Sequence, residues 1–85
     1  MEQSINGKEI ATNDIQYHIN RGISYGQMGL YDQAISEFNI VIKIAPDNAD
    51  AYNNRGLANQ DKGNLDQALA DYNKAIEIKP SHADA

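Results

Sequence analysis

Between Leu65 and Ile76 runs an apolar set of Leu65, Ala68, Leu69, Tyr72, Ala75 and Ile76. Steps of three and four place them in one stripe along a helix. Asn64 is expected to cap the start of that helix, and Asp66 to lie in its first turn, where the helix dipole favours an anion. Pro80 cannot continue the hydrogen-bond ladder and is expected to stop it. Upstream, Tyr52, Gly56 and Asn59 share a face at the spacing of helical turns, and Gly63 supplies a helix-ending residue. The pattern therefore predicts two helices joined by a tight turn.

The same arrangement stands 34 residues earlier. Residues 15–48 and 49–82 align without a gap and share 11 identities in 34, among them Asn20/Asn54, Arg21/Arg55, Gly22/Gly56, Asp32/Asp66, Ala34/Ala68 and Pro46/Pro80. Conservative pairs such as Ile23/Leu57, Ile35/Leu69, Glu37/Asp71 and Phe38/Tyr72 fill the intervals. The first unit repeats the two-helix pattern from about Ile15 to Ile44. Leu30 stands where Asn64 caps the second unit, so its second helix is expected to start less cleanly. Gly22 and Gly56 lie inside helices, where glycine costs roughly 0.5–1 kcal/mol relative to alanine. A cost met twice at one repeat position implies a close helix approach, expected opposite Ala34 and Ala68.

A 34-residue helix–turn–helix unit with these small residues resembles the tetratricopeptide repeat family. The matching positions in the first copy are His18-x2-Arg21-Gly22-x2-Tyr25, Ala34-x3-Phe38 and Pro46. In the second they are Tyr52-x2-Arg55-Gly56-x2-Asn59, Ala68-x3-Tyr72 and Pro80. Arg replaces the family's Leu in both copies, His18 replaces an aromatic residue, and Asn59 replaces Tyr. The resemblance implies an all-α fold: tandem antiparallel helix pairs in a short right-handed α-solenoid of two units. It divides the chain into an N-terminal segment 1–14, units 15–48 and 49–82, and the start of a third unit at 83–85. The opening segment is expected to be loose, or the worn end of an earlier repeat.

The family's concave groove, lined by the first helix of each unit, generally binds peptides or partner helices, and few members are enzymes. Carried over residue by residue, that groove would use Gln16, Ile19, Asn20, Ile23 and Gln27 of unit one. Unit two would add Asp50, Asn53, Asn54, Leu57, Gln60 and Asp61. Asn20 and Asn54 matter most on this reading, because an amide both donates to and accepts from the backbone of a bound segment. For Arg21 and Arg55 the favoured role is structural: the stem over apolar surface, and the guanidinium meeting an acid of the neighbouring helix. The alternative has them reaching a partner's carboxylate from the groove edge.

Charge and composition narrow the chemistry. A net charge of −5 opposes binding to a phosphate backbone, so no nucleic-acid partner is expected. The aromatic residues Tyr25, Tyr31, Phe38, Tyr52 and Tyr72 are read as repeat core rather than a base-stacking platform. The chain has no cysteine, which excludes disulfides and thiolate chemistry. His18 and Asp14 make two ligands at most, too few for a metal site, and His18 is read as packing. His82 is read as solvated. Ser24 and Ser36 have no positional reason to meet a histidine and a carboxylate. The expectation is a non-catalytic chain with no cofactor, no metal and no membrane span, cytoplasmic by default.

Repeats of this kind leave an apolar face for the next unit to cover. The open face is expected around Leu69, Tyr72 and Ile76. Two completions fit: a fragment of a longer array, or a homo-oligomer in which another copy covers that face. Some family members clamp an acidic C-terminal peptide between Lys and Arg side chains. Here Ile19 and Ile23 take two of the required positions, and Asp50 and Asp61 lie on the same face. Titration with an acidic C-terminal peptide is therefore expected to show no micromolar affinity.

Overall fold

The computed structural model describes residues 7–80, with side chains from Asp14 onward. The expectations for His82 and residues 83–85 fall outside them. Four helices follow one another: α1 (Gly7–Gln27), α2 (Tyr31–Ile44), α3 (Ala49–Lys62) and α4 (Leu65–Ile78). Each packs on its neighbour in sequence, and α1 also touches α3. The chain is thus an all-α repeat solenoid of helix pairs. Residues 7–14 are helical and run without a break into the first repeat helix; the segment was expected to be loose or the worn end of an earlier repeat.

The turns inside the two units are built alike. Gly29 and Gly63 adopt left-handed backbone with φ of 79° and 99°, which suits a residue without a Cβ. The next N–H then donates back to the helix just ended, Leu30 to Tyr25 O at 2.9 Å and Asn64 to Asn59 O at 2.8 Å. Asn64 makes no side-chain cap, and neither does Leu30, so the second helices start equivalently. The backbone turn decides this, against the expected advantage of Asn64. The side-chain cap lies between the units instead, where Asn48 Oδ1 accepts from Ala51 N–H at 2.9 Å.

Helix α2 is central, covered by α1 on one side and α3 on the other. Its Val41 packs with Ile19 and Ala51, and its Ala34 and Phe38 pack with Ala58. Half-buried Ile42 and Ile35 border the two clusters. The close approach inside each unit is to an aromatic ring rather than to Ala34 or Ala68. A Cβ built on Gly22 would lie 2.5 Å from Phe38 Cε1, and one on Gly56 would lie 2.8 Å from Tyr72 Cε1. The glycines let the rings of the second helices lie flat on the backbone of the first.

Between α3 and α4 the buried material is partly polar. Asp71 is 2% exposed, on the α4 face that also buries Ala68 and Ala75. Arg55 Nη2 and Nε donate to its two oxygens at 2.7 and 3.0 Å, and Asn59 Nδ2 adds a third bond at 3.1 Å. Arg55 Nη1 also donates to Asn39 of α2 at 2.8 Å, so one side chain ties three helices together. The bonds to Asp71 hold the guanidinium above its ordinary range, and it stays charged. In unit one the corresponding Arg21 bonds the hydroxyls of Tyr17 and Tyr25 and stands 3.4 Å from Glu37. His18 takes the closer place on Glu37, Nδ1 to Oε1 at 2.6 Å.

Two predictions follow from these contacts, both read by urea denaturation. Gly22→Ala is expected to destabilise by about 1–3 kcal/mol, because buried Phe38 cannot retreat from the added methyl. Gly26→Ala meets nothing within 4 Å and is expected to gain the helix propensity of alanine, about 0.5–1 kcal/mol. Arg55→Met leaves a buried carboxylate without its cation and is expected to cost about 3–5 kcal/mol. Arg21→Met, on a side chain 47% exposed, is expected to cost far less than Arg55→Met.

Candidate functional site

A cleft of about 210 Å³ opens where α1 and α3 lie side by side over α2. Its floor is small and apolar: Gly22 of α1, Ala34 of α2 and Ala58 of α3, with the Phe38 ring between them. The absence of side chains on Gly22 and Gly26 keeps the cleft open on the α1 side, and space around Gly26 is free. Exposed Ile23 and Leu57 form its apolar walls. Gln27, Asn54 and Asp61 supply its polar atoms. Among the described residues Asp61 forms no ion pair, whereas Arg55, Lys62 and Lys74 each face a carboxylate.

Of the residues expected in the groove, the structure gathers Ile23, Gln27, Asn54, Leu57 and Asp61 around this cleft. Ile19 is corrected: it is buried with Val41 and Ala51 and belongs to the core. Position 19 faces inward because α1 is wedged against both α2 and α3. Gln60 accepts from the Tyr72 hydroxyl at 2.7 Å and is tied to α4 rather than to the groove. Asn20, given most weight with Asn54, accepts from Gln16 Nε2 at 3.1 Å one turn away. Both stay exposed on α1 beyond the cleft lining, as Asp50 and Asn53 do on α3.

The expected open face also divides. Leu69 and Ile76 are 60% and 55% exposed, and Leu65 joins them at 60%. Tyr72 is corrected: its ring lies on Gly56 and its hydroxyl on Gln60, so it faces α3. Burial, and then the carboxylates of Asp61 and Asp71, push that hydroxyl above its ordinary value, which keeps the proton it donates. The sequence reading missed Gly26 and Phe38 as cleft residues. It also did not single out Asp71, although the Glu37/Asp71 pair at one repeat position beside an Arg21/Arg55 pair was a signal for a built-in ion pair.

Among the described residues no three His, Asp or Glu side chains gather as a metal site, and no helix is long and apolar enough to cross a membrane. Two family models match the chain, one described as a tetratricopeptide repeat over residues 49–82 and one as a TPR repeat over 24–63. A crystal structure of MamA is similar, with a TM-score of 0.74 and 32% identity, covering 84% of this chain and 42% of that one. A second, of MamA protein, gives 0.73 and 33%, covering 82% and 38%. The chain thus spans less than half the length of either. A comparison with curated protein sequences finds no match. The repeat register, the helix pairs and the matches across residues 24–82 agree: the chain belongs to the tetratricopeptide repeat family, whose repeats are protein-interaction modules.

Proposed function

We propose that the chain binds a segment of a partner protein in the cleft between α1 and α3, without catalysis. One apolar side chain of the ligand enters between Ile23 and Leu57, and a neighbouring Lys or Arg meets Asp61. The observation that carries this reading is an open apolar cleft whose polar atoms include a carboxylate with no ion pair among the described residues. Its volume of about 210 Å³ exceeds the roughly 150 Å³ apolar cavity that admits a benzene ring, so one aliphatic or aromatic side chain fits. The amides of Asn54 and Gln27 are placed to bond the backbone of that segment. Electrostatic complementarity chooses the partner here: the net charge of −5 and the carboxylate favour a cationic ligand and disfavour nucleic acid.

Selection from a random peptide library tests the proposal. Enriched peptides are expected to pair an aliphatic or aromatic residue with an adjacent Lys or Arg. By fluorescence anisotropy, Leu57→Lys is expected to weaken such a peptide roughly tenfold or more, the loss of one well-packed anchor. Asp61→Lys is expected to move the selection away from basic sequences. Peptides enriched without a basic bias, or indifferent to both substitutions, would sink the reading.

A further inference from the structure

The two ends of the stack carry complementary halves of an interface that the chain already makes once inside itself. Within the chain, α2 receives α3: Val41 packs on Ala51, Ala34 and Phe38 pack on Ala58, and Ile35 and Ile42 border the contact. Two polar links cross the same seam, Arg55 Nη1 to Asn39 and Lys62 to Asp32. Moved by one repeat of 34, the receiving positions recur on α4 as Ala68, Leu69, Tyr72, Asn73, Ala75 and Ile76; Leu69, Asn73 and Ile76 stand exposed, while Ala68, Tyr72 and Ala75 already pack toward α3. Ile35 and Ile42 are half-buried under α3, whereas Leu69 and Ile76 stand more than half exposed. Asn73 repeats Asn39, the acceptor for an arginine of the covering helix.

The other half lies on α1. Where α3 offers Ala51, Arg55 and Ala58 to α2, α1 offers Tyr17, Arg21 and Ser24, and all three are exposed. The fit is chemical at each place. Ser24 is as small as Ala58. Arg21 is 47% exposed against 20% for Arg55, and it makes no contact of the kind Arg55 makes with Asn39. Large Tyr17, 53% exposed, would oppose small Ala75 where small Ala51 opposes larger Val41, so the bulk is exchanged across the seam. The Lys62–Asp32 pair alone has no equivalent, since Met28 stands opposite Asp66.

We infer that α4 docks a second copy of this chain through that copy's α1, in the register of α3 on α2. The contact is heterologous, one face of each kind per molecule, so it propagates rather than closing as a pair. Sedimentation equilibrium from micromolar to hundreds of micromolar tests it on the 85-residue chain. The average mass is expected to climb past that of a dimer. Leu69→Lys spoils the receiving face and Tyr17→Glu the entering face, and each variant alone is expected to stay monomeric. Mixed in equal amounts they retain one good face each and are expected to reach twice the monomer mass and stop. Circular dichroism confirms the fold of each variant, and Ile76→Lys replaces Leu69→Lys if that variant unfolds. A wild-type chain monomeric throughout, association untouched by Tyr17→Glu, or a mixture that stays monomeric would each overturn the inference.

Discussion

A carboxylate shut between two helices has to be met by a cation, and Arg55 is the side chain that meets Asp71. The pair fixes the rotation of α4 against α3, because Asp71 turned away would leave the guanidinium half satisfied. Its remaining N–H reaches Asn39, which fixes α3 against α2 as well. A buried ion pair adds little net stability over apolar packing, yet losing one partner is costly. Its effect here is on arrangement: one side chain links α3 to both α4 and α2.

The two repeats solve one packing problem with different chemistry. Both press an aromatic ring of the second helix onto a glycine of the first. Around that contact they diverge. Unit two places Asn59 beside Asp71, short enough for Arg55 to reach the carboxylate with two nitrogens. Unit one has Tyr25 at the same repeat position, and its hydroxyl draws Arg21 outward along α1. His18 then takes the inner place on Glu37, where unit two has Tyr52. These differences between the repeats leave Arg55 as a half-buried strut and Arg21 as a more exposed residue of α1.

Among the described residues, three surfaces stand outside the internal packing. The cleft between α1 and α3 is apolar with an anionic polar group, suited to a single inserted side chain. The faces of α1 and α4 are broad and shaped like the internal seam between α2 and α3. These tasks do not compete, because the cleft and the end faces share no residue. On the two proposals made above, ligand binding and stacking would occupy different residues.

The helices, their order and the repeat were legible in the sequence, because they rest on local spacing and on residues that recur 34 apart. Gly63 as a helix end and Pro80 as a stop are local properties, and the helix ends fall where they require. The cleft was legible in part: the family resemblance puts Ile23, Gln27, Asn54, Leu57 and Asp61 on the groove side, and these five line it. What register could not supply was which side of each helix a neighbour covers. Ile19 is core because α1 meets α2 and α3 together, and Tyr72 faces α3 because Gly56 leaves room for its ring. Asn64 has the chemistry of a cap, but the backbone turn from Gly63 sets its geometry and the side chain makes no such bond. Sequence periodicity determined which residues share a face; only the packing of four helices decided which faces are used up and which are left to bind.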